Sequence, residues 1–206
     1  MATKKKETVV ITDTTLKNLS GKIEITSAQV KDDFCNYSFD ILDGVGTGDT
    51  HNVKGKGIID DDMREAFSKL NVHLACIDDV FKHADIEIEN INTMRSHELA
   101  TIYTVTGVKI KGGEEDLSVV LIGEKYVSAA SGRMSLETPK IALDNLSSYH
   151  FHKDLKKAVD KVRTEVQLYK EGKYTAVEPE EKEDPNQLKI SLDTNSETDF
   201  ENAKVK

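Results

Sequence analysis

The 206-residue chain is 37% hydrophobic and 32% charged, with no Trp and three Pro; that is length for one sizeable core and too little for two ordinary domains. The longest apolar run, Val119-Val120-Leu121-Ile122, excludes a bilayer-spanning helix, and the basic cluster Lys4-Lys5-Lys6 leads into no signal-length apolar stretch, so a cytoplasmic protein with reduced Cys35 and Cys76 is expected. The net charge of −9 is uneven: residues 174–206 hold nine acids and four bases (−5), leaving 28 acids against 24 bases (−4) on the rest, so overall acidity does not exclude a basic binding face.

Residues 1–7 read as a flexible leader, and Thr8–Thr12 as an edge strand. Ile23 and Ile25 alternate with polar residues over Lys22–Val30. Cys35, Tyr37, Phe39 and Ile41 do so over Phe34–Leu42, the period of half-buried strands. The glycine-rich stretch Asp43–Asp49 turns the chain into a third strand, about His51–Ile59. Asp60-Asp61-Asp62 then offers an N-cap, with Glu65 completing a capping box from Asp62. Met63, Phe67, Leu70, Leu74, Ile77, Phe81 and Ala84 follow at helical spacing, predicting a core-packing helix of about six turns, with a break near Asn71 as the alternative. Asp85–Glu98 reads as a short strand or a pinned loop. Leu99–Lys111, Leu117–Val127 and Arg133–Leu143 read as three more strands. Gly112–Asp116 links the first two, and Pro139 bends the last. A second helix follows a Ser147 or Ser148 cap, with Phe151, Leu155, Ala158, Val159, Val162, Val166 and Tyr169 on its apolar stripe and Gly172 as its stop.

The expected fold is α+β, in the order βββαβββα. It comprises a mostly antiparallel sheet or an OB-like barrel of about six strands, with two long helices. One domain spans residues 8–173, and 174–206 form a disordered acidic tail in which only Leu188–Leu192 offers a docking segment. The two halves show no shared residue pattern.

No catalytic or metal motif withstands inspection. The glycines at 44–57 lack G-x-G-x-x-G and P-loop spacing and join two strands rather than opening a helix. His97-Glu98-Leu99-Ala100-Thr101 lacks the second His of a zincin, and the two cysteines make no C-x-x-C. Asp60-Asp61-Asp62 is explained by capping, and Asp78-Asp79 by a solvent-facing position. No nucleophile elbow is present. The chain is therefore expected to be neither an enzyme nor a metal or cofactor carrier. Basic residues instead recur along the strands beside aromatic ones: Lys54 and Lys56, Lys109 and Lys111, Lys125 with Tyr126, then Arg133 and Lys140. Each lysine pair keeps one parity and so projects from one sheet face. With Tyr37, Tyr103 or Tyr126 as stacking platforms, Lys54, Lys56, Tyr103, Lys109, Lys111, Lys125, Tyr126 and Arg133 form the candidate nucleic-acid contact set. Lys153, Lys157 and Lys161 add a stripe on the second helix, interleaved with Asp154, Asp160 and Glu165.

The element order from Lys22 to Val127, joined to the acidic C-terminus, resembles bacteriophage-type single-stranded DNA-binding proteins. The resemblance implies an oligonucleotide-binding barrel and a tail that competes with DNA for the basic groove and recruits replication, recombination or host proteins. It departs from that pattern where Asp199-Phe200 is followed by six further residues. The expected function is a non-enzymatic accessory of phage or mobile-element replication and recombination that binds single-stranded DNA. The alternative is a protein-interaction module, such as an assembly factor or an inhibitor of a host system, docking through the glycine hairpin or Leu188–Leu192.

Overall fold

The computed structural model describes residues 22–42, 48–112, 116–145 and 147–174. The leader, Thr8–Thr12, the tip of the glycine turn, Leu188–Leu192 and the rest of the tail lie outside the described residues.

Seven antiparallel strands form one open sheet: β1 (Lys22–Lys31), β2 (Phe34–Leu42), β3 (Gly48–Val53), β4 (Tyr103–Lys111), β5 (Ser118–Val127), β6 (Gly132–Glu137) and β7 (Ile141–Ala142). The spatial order is β3-β2-β1-β4-β5-β6, with β7 beside β5. The outer strands β3 and β6 sit at opposite edges, so the sheet does not close into the OB-like barrel. The strand read over Arg133–Leu143 is divided between β6 and β7, and Pro139 lies in the gap. The third strand, expected over about His51–Ile59, runs instead from Gly48 to Val53, leaving one isolated bridge, Phe34 to Ile58, further along.

The first helical region is not one continuous rod. It breaks into α1 (Asp61–Ser68), α2 (Asn71–Ile77) and α3 (Val80–His83), the last break falling at Asp79, whose φ is +55°. The N-cap is Asp60 rather than Asp62: its Oδ1 accepts the Met63 N–H at 2.9 Å, while Glu65 turns to Lys69. Asp85–Glu98 holds no strand but a loop pinned by the buried Ile91, with a 3₁₀ turn at Thr93–Ser96. The short helix α4 (Glu98–Thr101) occupies the start of what reads in sequence as a strand. The final helix, α5 (His152–Lys170), ends beside Gly172 at φ +105°. No helix of the described residues is long and apolar enough to cross a membrane.

A single core lies between the sheet and the helices. Ile25, Ala28, Tyr37, Phe39, Tyr103, Val105, Val108 and Leu121 face Met63, Phe67, Leu70, Leu74, Leu155, Val159 and Val162.

The two halves repeat one plan, three strands running outward in order on each side of the β1–β4 contact. Ala28 and Val108 pair at the centre of the β1–β4 contact. Both strands carry a threonine at their bulge, in Ile25-Thr26-Ser27-Ala28 and in Val105-Thr106-Gly107-Val108. The register shifts at Thr26 toward β2 and at Thr106 toward β5. Each half is a three-stranded meander followed by helix, and α1 and α2 cross to pack on β4 while α5 packs on β1. The repeat is invisible along the rest of the chain because β2 and β5 share only their pattern of buried positions.

Gly55 and Gly57 are packing glycines rather than parts of a loose tip. A Cβ on Gly55 would overlap the Cys35 carbonyl and the Tyr169 hydroxyl, and one on Gly57 would overlap the Tyr174 ring. The Tyr169 hydroxyl donates to the Gly57 carbonyl at 2.5 Å, tying α5 to this segment. Gly55→Ala is predicted to lower stability by about 1–3 kcal/mol in urea denaturation. Gly132→Ala, which would meet only the Ala130 carbonyl at 3.6 Å, should stay within about 0.5 kcal/mol of the parent.

Candidate functional site

The helices occupy one face of the sheet, and the other carries no helical layer among the described residues. Cross-strand register assigns Ser27, Gln29, Asn36, Ser38, Asp40, Lys109, Lys111, Ile122, Glu124, Tyr126, Arg133 and Glu137 to this outer face. Four of the eight candidate residues therefore share it: Lys109, Lys111, Tyr126 and Arg133. Tyr126 is 47% exposed and stands directly opposite Arg133. Lys54 and Lys56 are exposed just beyond the end of β3, on backbone held by Gly55 and Gly57.

Two candidates lie on the helix face instead. Tyr103 is fully buried, which removes its ring from base stacking, and Tyr37 is buried likewise. Lys125 pairs opposite Tyr103 across β4–β5, so it points the same way. Its Nζ lies 5.1 Å from the Tyr103 ring centroid and 2.8 Å from Asp78 Oδ2, to which the Tyr103 hydroxyl donates at 2.5 Å. Asp78 thus turns inward rather than to solvent. Burial, reinforced by the Asp78 carboxylate, pushes the Tyr103 phenol up to about 12. Burial opposes ionisation of Asp78, but the bonds from Lys125 and Tyr103 outweigh it and its carboxyl is held below the usual range. This trio rivets α2 to the sheet and leaves Lys125 committed to a carboxylate.

On the outer face the cations also have partners. Lys109 Nζ is 2.7 Å from Glu137 Oε1, and Arg133 Nη1 is 3.3 Å from Glu124 Oε2. Exposed pairs of this kind contribute about 0–1 kcal/mol, so a phosphate can displace either carboxylate at small cost.

Two polar clusters elsewhere escape a reading from spacing alone. Asp60, Asp62 and Glu165 bring carboxylate oxygens within 4.8 Å of one another. Lys173 Nζ lies among them, at 3.1, 2.6 and 2.8 Å. Glu165, which the helix pattern places among solvated charges, is buried and also bonds Lys161. The ammonium supplies the compensating charge a metal would bring, and it locks the end of α5 to the start of α1.

The second cluster is His73, Tyr149 and Cys76. The Tyr149 hydroxyl lies 2.9 Å from His73 Nδ1 and also meets the Cys76 thiol. Burial pushes Cys76 up to about 12, so it is a packed thiol and not a nucleophile. Cys35, the other free cysteine, is raised to about 12 in the same way. His73 is 1% exposed, and burial lowers it to about 4, with Arg95 adding to the shift and Asp154 opposing it.

No family model, no curated protein and no solved structure matches this chain.

The buried His73 makes stability depend on pH. As pH falls below 6.5 the unfolded chain protonates this imidazole, while the folded protein does not until about 4. The unfolded state gains protons across that window, so stability falls as pH drops from 6.5 to 4, by about 3 kcal/mol from this residue. Urea titrations at several pH values should show that slope, and His73→Gln should flatten it.

Proposed function

We propose that the protein is a non-enzymatic binding module that lays a single strand of nucleic acid across the outer face of its sheet. The observation that carries the reading is the gathering of Lys109, Lys111, Tyr126 and Arg133 on the sheet face that has no helical cover among the described residues. Cations at strand spacing track a phosphate backbone, and an exposed tyrosine beside an arginine offers a stacking platform with a charged neighbour. Lys54 and Lys56 extend the basic positions beyond the β3 edge. In this reading Tyr103 and Lys125 are structural. The acidic segment after residue 174 competes with the nucleic acid for the face and recruits partner proteins, as in phage-type single-strand binders.

A second reading, a protein-docking module, is favoured by one feature. The pairs Lys109–Glu137 and Arg133–Glu124 leave the face close to charge balance, as suits a mixed protein interface.

Anisotropy titration with a labelled oligothymidylate separates the two. The nucleic-acid reading predicts submicromolar affinity at low salt that falls steeply as salt rises. Tyr126→Ala with Arg133→Ala should weaken binding at least tenfold, and removal of residues 178–206 should tighten it. Absence of salt-sensitive binding by both full-length and shortened chains excludes this reading.

A further inference from the structure

The halves meet along a very short seam. β1 and β4 pair only over Ser27–Gln29 with Lys109–Gly107, and beyond those residues the strands part. On the β4 side of the approximate two-fold, the parted edge is sealed by Asn71 at the start of α2, whose Oδ1 accepts the Val105 N–H at 2.8 Å. The equivalent position on the β1 side is Ile25. There Ile25 and Arg163 of α5 line the same opening. A guanidinium only donates, so it cannot accept from a strand N–H as Asn71 does.

The result is a cleft of about 570 Å³, bordered by Glu24, Ser38, Asp40, Thr50, Lys109, Lys111 and Arg163. That volume lies within the range of small-ligand sites. Two of its groups are poorly matched within the protein. Asp40 Oδ1 is buried and has no hydrogen-bond partner among the described residues. Arg163 makes its ion pair with Asp160 at 3.9 Å, along its own helix, too long for a hydrogen bond. Asp40 as a whole is half-buried and borders the cleft, and a buried carboxylate oxygen without a donor calls for an explanation. Repeat symmetry sharpens the point. One copy of the seam is closed by a side chain chosen for the strand edge, and the other is lined by charge.

We propose that this cleft binds a nucleotide. Arg163, Lys111 and Lys109, the last released from Glu137, take the phosphate, and Asp40, with the Thr50 hydroxyl and the oxygen of Ser38, whose proton goes to Asn52, takes the amino-bearing edge of the base. The pairing follows from chemistry: an acceptor-only carboxylate needs N–H donors, which guanine, cytosine and adenine present and thymine presents least. The guanidinium and ammonium groups need an anion. The nucleotide is either free or one unit of the strand on the outer face, onto which the cleft opens beside Lys109 and Lys111. In the second case the inference rests on the nucleic-acid reading above.

The test is titration of the full chain with deoxyguanosine, deoxycytidine and thymidine monophosphates, deoxyguanosine without phosphate, and inorganic phosphate, read by amide chemical shifts and calorimetry. The proposal expects shifts at Ser27 and Gly112, and at least tenfold weaker binding of the thymidine nucleotide than of the guanosine one. Asp40→Asn should erase that base preference. Arg163→Gln should weaken nucleotides at least tenfold while leaving the phosphate-free nucleoside within about twofold. Nucleotides that bind no better than inorganic phosphate, or that shift amides only elsewhere in the unmodified protein, overturn it. So does an acidic peptide that occupies the cleft when nucleotides do not. If oligonucleotides bind but Asp40→Asn and Arg163→Gln change nothing, the cleft proposal falls and the outer-face reading stands. If mononucleotides fill the cleft but no single strand binds with salt dependence, the outer-face reading falls and the cleft stands for free nucleotides.

Discussion

The architecture depends on the three-residue junction between β1 and β4. Two three-stranded meanders are joined there by one short antiparallel contact, too little to hold a sheet together by its backbone bonds alone. The helices supply the rest. Each half sends its helix across the junction onto the other half's first strand, so burying the apolar stripe of α5 against β1, or of α1 and α2 against β4, also fastens the two halves together. The Lys173 cluster and the Asp78–Tyr103–Lys125 trio are polar fasteners on the same plan, linking helix to helix and helix to sheet.

This arrangement fixes which surface is free to work. Among the described residues every major helix lies on one side, so the outer face carries none, and its composition is polar with few large apolar groups. A layer of buried ion pairs would be expensive to rearrange. The outer-face pairs are exposed and weak, which suits a surface that exchanges internal partners for a ligand. The same junction, short because the strands diverge, opens the cleft at one of its two equivalent ends.

Much of this is legible in the sequence. Period-two alternation located β1 and β2, strand-forming composition and the turn at Gly112–Asp116 located β4 and β5, and the apolar stripe located α5. Parity also places Lys125 inside, since it shares the alternation of Val119 and Leu121. Other features depend on long-range contacts that one sequence does not display. The bulge at Thr106 shifts the parity of β4, sending Lys109 and Lys111 outward although Tyr103 and Val105, of the same parity, point inward. The break before α2 has its reason in Asn71, which must reach a strand N–H thirty-four residues away. Glu165 reads as one more surface acid until Lys173 is seen to fold back over it. Arg163 gains significance only beside Asn71, which seals the other end of the seam. The barrel expectation failed because element order does not determine closure; β3 and β6 must meet for that, and here they occupy opposite edges.

The central claim is that the outer sheet face, and not the lysine-bearing surface of α5, receives a single strand of nucleic acid. Photocrosslinking with a bromouracil-substituted single strand, mapped by peptide mass spectrometry, addresses it directly. The account predicts adducts on β5 and β6, foremost at Tyr126; adducts confined to α5 around Lys153 and Lys157, or no adducts at low salt, would contradict it.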